Sequence, residues 1–224
     1  MNHETVRVWD LPTRLFHWAL LACVIGLFVT AYAPGNWIDW HARLGFSVLA
    51  LLLFRLVWGF IGGHWSRFAT FLPSPGRILA HLRGQPGEAQ RLGHNPLGSL
   101  SVLAMLAVLA AQVGTGLVAD DEIAFTGPLN RFVSTASGLA ATAWHKGWGQ
   151  WLLLGLIGLH VAAIVFYARA RRTDLVGPML HGDKRVAGPA ISARDDLVVR
   201  LCALVAFTAC GAGVYVLVNL LPPA

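Results

Sequence analysis

Apolar residues in this chain cluster into five long stretches, and polar connections containing glycine and proline separate them. A helix needs about 20 predominantly apolar residues to cross the hydrocarbon core of a bilayer, and each stretch approaches or exceeds that length. We therefore predict five transmembrane helices, at Leu15–Ala33, Trp40–Ile61, Leu97–Val118, Trp148–Ala168 and Leu197–Leu221. The pattern indicates an all-α integral membrane protein in which residues 1–224 form a single membrane domain.

Composition agrees with a membrane protein and narrows the classes of partner. Hydrophobic residues make up 56% of the chain and charged residues only 12%, against about 25% charged residues in soluble domains. The net charge of +6 would suggest nucleic acid in a soluble protein. Here basic loops beside the lipid bilayer explain it, so we expect no nucleic-acid partner. The three cysteines form neither a C-x-x-C-H motif for covalent c-type haem nor an iron–sulfur spacing.

The distribution of basic residues predicts the orientation. Of the 17 lysines and arginines, 14 fall on the side of the N-terminus and of the second and fourth connections, and the others are Arg43, Arg131 and Lys146. Cytoplasmic loops carry the excess of positive charge in membrane proteins. We therefore predict a multi-pass protein of the bacterial inner (cytoplasmic) membrane, with a cytoplasmic N-terminus and a periplasmic C-terminus.

Two connections have features of their own. The inner one, from Gly62 to Pro96, is rich in proline and glycine and predicts an irregular loop, with Asn95 as the N-cap of the third helix. The outer one begins Asp120-Asp121-Glu122, and we interpret its later part, Leu129–Ala143, as a short helix along the membrane surface. This acidic outer connection is either a docking surface for a partner or a solvated loop with a helix cap.

Four of the nine histidines lie in or at the predicted spans, where an imidazole is costly and indicates a functional site. His145 and His160 belong to one helix, in which 15 residues rise about 22 Å and return to within roughly 60° of the starting direction. His17 lies on the cytoplasmic side of the first helix, and His41 begins the second helix on the outer side. Depth therefore pairs His17 with His160 and His41 with His145. We predict two bis-histidine haem sites, one above the other, with these four side chains as ligands of the haem iron.

The ligand type and the neighbouring residues extend this prediction. Two imidazoles on one iron leave no open coordination position, which favours electron transfer over oxygen chemistry. Arg14 and Arg55 lie on the cytoplasmic side near His17, and we predict that they bind haem propionates. Snorkelling to lipid headgroups is the alternative for these arginines, and both interpretations also apply to Arg43 and Lys146 beside the outer ligands.

Other residues near or outside the spans have plainer interpretations. Small residues near the ligands either let a macrocycle approach the backbone or serve helix packing; these are Gly45, Gly147, Gly149, Gly155 and Gly158. The five remaining histidines fall in predicted loops, and we interpret them as solvated or interfacial; they are His3, His64, His81, His94 and His181.

The opening stretch Val6–Trp18, VRVWDLPTRLFHW, resembles the start of bacterial cytochrome b561 proteins and of the b-type subunits of nickel–iron hydrogenases. Later segments are similar to the same family, and the resemblance covers nearly the whole chain; they are Gly93–Gly98, Thr115–Leu117, Asp120-Asp121 and Gly127–Leu129. The resemblance implies a haem-binding four-helix bundle with two b haems held by histidines of helices 1, 2 and 4. Those positions match His17, His41, His145 and His160. The extra C-terminal fifth helix is similar to the hydrogenase-type and cytochrome-c-partnered members.

Three functions are weighed against these residues. The leading one is a dihaem conduit that passes electrons between membrane quinone and a periplasmic partner, which is a c-type cytochrome, a hydrogenase or another oxidoreductase. The quinone site itself is implied only by the resemblance. The second is a self-sufficient superoxide:quinone oxidoreductase, which the acidic Asp120-Asp121-Glu122 disfavours because it would repel a small anion. The third, an ion transporter or metal-binding protein, is weak because the spans contain almost no carboxylates.

Overall fold

The computed structural model describes residues 3–83, 92–123 and 125–219, and helices dominate it. In chain order the helices are α1 (Leu11–Tyr32), α2 (Ile38–Ile61), α3 (Phe68–Phe71), α4 (Pro75–Leu82), α5 (Pro96–Val118), α6 (Thr135–Trp144), α7 (Gln150–Ala170), α8 (Val176–His181) and α9 (Leu197–Asn219). Within these residues five helical segments are long and apolar enough to cross a membrane, which confirms the predicted number. The predicted end of the last one, Leu221, lies outside the described residues.

The two loops with predicted features contain more regular structure than the sequence indicated. The inner connection holds α3, α4 and a 3₁₀ turn at His64–Ser66 rather than an irregular loop. The N-cap prediction for Asn95 is confirmed, because its Oδ1 accepts a hydrogen bond of 2.7 Å from the Gly98 amide. In the outer connection, α6 accounts for most of the predicted short helix.

A π-helical turn, His145–Gly149, joins α6 to α7. Within it Gly147 has φ −101° and ψ −111°, which is not a helical conformation. Such a turn breaks the regular ladder of main-chain hydrogen bonds and kinks the helix. The kink follows directly after His145, so the predicted ligand lies at an irregular point of the chain rather than inside a straight helix.

A small antiparallel sheet, which the sequence analysis did not predict, joins the N-terminus to a distant segment. Strand β1 (His3–Arg7) pairs with β2 (Asp183–Ala187), with Thr5 opposite Arg185. Isolated two-stranded sheets are marginal in water, so this pair depends on its surroundings. Next to it, Val8, Trp65 and Ala193 form a buried cluster.

The chain divides into two compact units. The first comprises Met1–His17, Arg55–Ala104 and Gly158–Ala206. Asp10 in this unit is fully buried, at 0% exposure. The Asp10 carboxylate accepts hydrogen bonds from four donors: the amide of Thr13 at 2.8 Å, the Ser66 hydroxyl at 2.8 Å, the Gly63 amide at 3.1 Å and the Trp58 indole at 3.3 Å. Asp10 thus caps α1 and connects it to the end of α2 and the turn that follows.

A second carboxylate organises charged groups in the same unit. The Asp195 side chain is 6% exposed and lies 3.0 Å from a guanidinium nitrogen of Arg7 and 3.2 Å from one of Arg200. Its Oδ1 also accepts a hydrogen bond of 3.1 Å from the Leu11 amide. Burial alone would raise the pKa of Asp195, but hydrogen bonds from Arg200 and Leu11 and the charges of Arg200 and Arg7 hold it below its ordinary value.

The second unit comprises Trp18–Phe54, Met105–Ile157 and Phe207–Ala224. Its core consists of the buried side chains Val24, Val48, Leu109 and Leu153. These four residues come from α1, α2, α5 and α7, the helices that the resemblance assigns to a four-helix bundle. Within the described residues of this unit, Phe54 packs edge-on against Phe207 of α9 with ring centres 5.8 Å apart.

Candidate functional site

His41 and His145 come together in the second unit. Their ring centres are 6.1 Å apart and their planes make an angle of 76°. Both side chains are half-buried. His41 is carried by the first turn of α2 and His145 by the start of the π-helical turn. The structure therefore places side by side the two histidines that the sequence pairs by depth.

Each ring of this pair is anchored through Nδ1 to a main-chain carbonyl. The Nδ1 of His41 lies 3.1 Å from the carbonyl oxygen of Leu27 on α1, and the Nδ1 of His145 lies 2.9 Å from that of Gln112 on α5. A carbonyl can only accept, so Nδ1 carries the hydrogen in both rings. Nε2 is therefore the unprotonated nitrogen of each ring and is available to a metal.

A threonine supports each of these anchors in the same way. Thr30 follows Leu27 by three residues, and Thr115 follows Gln112 by three residues. The Thr30 hydroxyl is 3.2 Å from Nδ1 of His41, and the Thr115 hydroxyl is 3.3 Å from Nδ1 of His145. The Thr30 hydroxyl donates its own hydrogen to the carbonyls of Gly26 and Leu27. The Thr115 hydroxyl donates in the same way to those of Ala111 and Gln112. Each threonine oxygen is thus an additional acceptor for the histidine N–H.

Gln112 holds His145 at two points. Besides its carbonyl, its side-chain Nε2 donates a hydrogen bond of 3.2 Å to the main-chain oxygen of His145. That carbonyl belongs to the π-helical turn, where the regular helix ladder is interrupted. Gln112 therefore stabilises both the ring orientation and the irregular backbone of the residue. No local pattern in the sequence indicates this role for Gln112 or Thr30, because it depends on contacts between helices, whereas Thr115 stands within the family-like segment Thr115–Leu117.

The separation of the two rings fits a shared metal ion. A histidine–metal bond is about 2 Å long and the nitrogen lies about 1.1 Å from the ring centre, so two rings that share a metal have centres at most about 6.2 Å apart. The observed 6.1 Å agrees with this value. Two rings that merely pack edge-on lie at similar distances. This pair differs from ordinary ring packing because both Nδ1 atoms donate to carbonyls, which leaves both Nε2 atoms unprotonated and able to bind a metal.

Space beside the histidines also suits a macrocycle. Gly45 follows His41 by four residues, so it lies on the same face of α2 one turn further on. A Cβ atom built at Gly45 would meet no other atom within 4 Å, although the residue is half-buried. The same holds for Gly147 beside His145. Two half-buried glycines that face open space are more consistent with room for a cofactor than with tight helix packing.

His17 and His160 belong to the first unit, and both are half-buried. The two rings are electrostatic neighbours, since the charge of His160 acts on His17. The other predicted pair thus also occurs within a single compact unit. The role of all four histidines as iron ligands remains a prediction.

Arg55 lies in the same unit and is 4% exposed. Its guanidinium carbon lies 4.7 Å from the centre of the Phe68 ring, and the carboxylate of Asp10 is its electrostatic neighbour. Its Nη1 has no hydrogen-bond partner in the described parts of the chain. A buried, charged donor without a partner is costly, so this atom fits the predicted role of binding a haem carboxylate.

Arg14 has partners of its own. Its Nη1 donates a hydrogen bond of 2.7 Å to the carbonyl of Leu180, and its Nη2 lies 3.8 Å from the carboxylate of Asp195. The Nε atom of Arg14 is buried and makes no hydrogen bond among the described residues. The predicted propionate role of Arg14 would therefore have to rely on Nε or on rearrangement of these contacts.

The sequence predicts that His94 is a solvated or interfacial loop residue, and the structure contradicts a solvated position. Its ring packs against Trp9 at 4.7 Å and against Phe71 at 4.5 Å, between ring centres. Burial, together with the charges of Arg55 and His160, lowers the pKa of His94 to about 3. The imidazole is therefore neutral at physiological pH. A signal was present in the sequence, since His94 stands within the family-like segment Gly93–Gly98.

Five apolar helices and two pairs of half-buried histidines are typical of a membrane-bound haem protein. A model of the family described as prokaryotic cytochrome b561 matches residues 8–182. This chain belongs to the prokaryotic cytochrome b561 family, and it is accordingly a multi-pass membrane protein of the b-type cytochrome class, whose cofactor is haem b.

Similar proteins of known description agree with this assignment. The chain is 25% identical over 214 residues to a probable Ni/Fe-hydrogenase B-type cytochrome subunit of Azotobacter vinelandii, covering 81% of this chain and 89% of the relative. It is 24% identical over 220 residues to the one of Bradyrhizobium diazoefficiens, covering 83% and 88%. With a probable Ni/Fe-hydrogenase 1 B-type cytochrome subunit of Escherichia coli it shares 22% identity over 188 residues, covering 69% and 80%. No solved structure matches the chain.

Proposed function

We propose that this protein is a dihaem cytochrome b that carries electrons through the bacterial inner membrane between a periplasmic redox protein and the quinone pool. The observation that carries the proposal is the pair His41–His145, whose 6.1 Å separation and anchored Nδ1 atoms would allow both side chains to bind one iron. His17 and His160 would hold the second haem. A haem with two histidine ligands supplies one-electron redox chemistry without an open position for oxygen.

The chain's own residues would orient and insulate the two cofactors. Leu27, Gln112, Thr30 and Thr115 keep the outer rings in the tautomer that binds metal. Apolar side chains exclude water from the surroundings and provide a medium of low dielectric constant, which together with the axial ligands sets the reduction potential. Arg55 would compensate the charge of a haem carboxylate at the inner site.

The orientation follows from the distribution of basic residues, which favours a cytoplasmic N-terminus. His41 and His145 then belong to the periplasmic side and His17 and His160 to the cytoplasmic side. We infer that the outer haem exchanges electrons with the periplasmic partner. The names of the similar proteins point to a hydrogenase as that partner, and a c-type cytochrome is the other candidate.

Reconstitution tests the function. The purified protein is placed in liposomes that contain a quinone, and hydrogenase with hydrogen or a reduced c-type cytochrome is added outside. We expect reduction of both haems followed by conversion of quinone to quinol, which takes two electrons and two protons. The His41→Ala variant should block entry of electrons. Reduction of quinone by superoxide alone, at the same rate and without a partner protein, would instead support the superoxide:quinone oxidoreductase.

A further inference from the structure

A guanidinium and an imidazole in the first unit each keep an unused hydrogen-bonding atom. Arg55, at 4% exposure, leaves Nη1 without a partner, and His94 leaves Nδ1 without one, among the residues that the structure describes. Buried polar atoms are almost always hydrogen-bonded in folded proteins. Two such atoms in one cluster therefore call for a common explanation.

Aromatic side chains hold both groups without using their polar atoms. The Arg55 guanidinium carbon lies 4.7 Å from the ring centre of Phe68 and 5.8 Å from that of Phe71. The His94 ring packs on the same Phe71 at 4.5 Å and on Trp9 at 4.7 Å. The charge of Arg55 also acts on His94, which makes the two groups electrostatic neighbours. Their positions are thus determined by packing, and Nη1 of Arg55 and Nδ1 of His94 remain available for a hydrogen bond.

Asp10 balances the charge of Arg55 only from a distance. It is the carboxylate whose charge acts on Arg55. Its described hydrogen bonds come from Thr13, Trp58, Gly63 and Ser66, and none comes from the guanidinium. The cluster therefore retains donors for a second anion.

The cluster adjoins the inner pair of histidines, because the charge of His160 also acts on His94. His94 does not complete a three-ligand metal centre, since the described residues contain no group of three or more metal-ligating side chains of that kind. A donor within electrostatic range of the predicted iron ligands, but outside their coordination, could hold the edge of a macrocycle that they bind.

We propose that Arg55 and His94 together bind one carboxylate of the haem held by His17 and His160. This inference rests on the proposed function, in which that pair binds haem. The guanidinium supplies a charge-assisted hydrogen bond and the imidazole a neutral one. The family-like segment around His94 then has a direct role in cofactor binding, and α2 and the segment that precedes α5 would hold the inner haem in addition to His17 and His160.

The variant His94→Phe tests this site with little change in packing, because phenylalanine can occupy the same place between Trp9 and Phe71 but has no N–H. His94→Gln restores a donor. The matched control is His81→Phe, since His81 is another half-buried histidine with an unpartnered Nδ1 in the described chain. Arg55→Met removes the charged donor, and His94→Phe remains informative even where the arginine variant fails to fold.

Redox titration of the purified, full-length protein with two haems gives the first readout. Loss of a donor or a positive charge beside a haem favours its oxidised form. At a fixed ambient potential we expect the ratio of reduced to oxidised inner haem to fall about tenfold in Arg55→Met, which is a shift of about 59 mV for a one-electron couple. A smaller fall is expected in His94→Phe, with recovery in His94→Gln. The outer haem and the His81→Phe variant should not change.

Infrared difference spectroscopy with haem carrying ¹³C-labelled carboxylates gives the second readout. The labelled carboxylate band should move in His94→Phe and Arg55→Met and stay in place in His81→Phe. Unchanged bands and potentials in a protein that binds two haems would overturn the carboxylate site alone. A wild-type protein with fewer than two haems, or His17 and His160 replacements that keep both, would overturn the proposed function on which the site rests.

Discussion

His41 and His145 lie edge-on with ring centres 6.1 Å apart, and each donates Nδ1–H to a carbonyl of a different helix, Leu27 on α1 or Gln112 on α5. The same arrangement thus occurs twice. It is found once where α1 contacts α2 and once where α5 contacts the π-helical turn between α6 and α7. For each histidine, a main-chain carbonyl and the hydroxyl of the threonine three residues later both accept the hydrogen on Nδ1. Hydrogen bonding of this kind orients a metal ligand and raises its basicity.

Replacing Thr115 by valine tests this support. The change keeps the shape of the side chain but removes one acceptor for Nδ1–H of His145. We expect haem to leave the outer site about ten times faster, as measured by transfer of haem to an apoprotein acceptor. Thr115→Ser should restore retention, and Thr70→Val, at a half-buried threonine of α3, is the control. Equal haem loss in all variants would show that Thr115 does not support the ligand.

Gly45 provides a test of the open space beside His41. A leucine at this position would fill the region where a built Cβ meets no neighbour within 4 Å. We expect Gly45→Leu to lose the outer haem while the helical content stays unchanged by circular dichroism. Gly213→Leu is the matched control, because Gly213 also faces open space but is exposed on α9. Full haem content in Gly45→Leu would contradict the position of the macrocycle.

The buried carboxylate of Asp10 should be important for stability. In Asp10→Asn an NH₂ group replaces one acceptor oxygen and faces donors instead. Because a hydrogen bond to a charged group contributes roughly 1.5–3 kcal/mol, we expect the free energy of unfolding to fall by about 3 kcal/mol or more. The midpoint of thermal unfolding in detergent measures it. Asp39→Asn, at an exposed aspartate, should leave the midpoint nearly unchanged. An unchanged midpoint in Asp10→Asn would contradict the structural role of Asp10.

Asp195 should make stability depend on pH in the acidic range. Its pKa in the folded protein is held below the ordinary 3.8, so the unfolded chain binds the proton more readily. The stability that Asp195 contributes is therefore present at neutral pH and is lost as the pH falls below about 4. Asp195→Asn should lower the free energy of unfolding at pH 7 by roughly 2 kcal/mol, and the unfolding midpoint should fall accordingly. The difference from wild type should shrink toward pH 3.

The neighbouring Asp196 supplies the control for that experiment. Its ion pair with Arg194 lies at the surface, with side chains 46% and 73% exposed, and exposed pairs contribute little to stability. Asp196→Asn retains an oxygen that can accept the hydrogen bond of the Val199 amide. A difference from wild type in Asp195→Asn that did not vary with pH would show that the carboxylate charge is not the cause.

The number of spans and the pairing of histidines could be predicted because both follow from local patterns. Apolar length decides whether a helix crosses the membrane, and depth in the membrane decides which histidines can meet. His41 and His145 were paired on that basis alone, and the structure brings them together. The Asn95 cap was predictable for the same reason, since its partner Gly98 is only three residues away.

The sheet and the supporting residues depend on contacts between distant parts of the chain. Strand β1 pairs with residues 183–187, and no local pattern indicates that partner. His94 follows a glycine-rich, polar stretch, which is typical of a solvated loop, yet Trp9 and Phe71 bury it. Gln112 and Thr115 look like ordinary polar residues of a membrane helix until His145 is placed beside them.

The haem content of the purified protein and of four single variants, His17→Ala, His41→Ala, His145→Ala and His160→Ala, tests the central claim most directly. A reduced-minus-oxidised spectrum together with the haem-to-protein ratio should show two b haems in the wild type. Each substitution should remove or alter one of them, with His17 and His160 affecting the same haem and His41 and His145 the other. A single haem in the wild type, or loss of haem that does not follow these pairs, would contradict the dihaem arrangement.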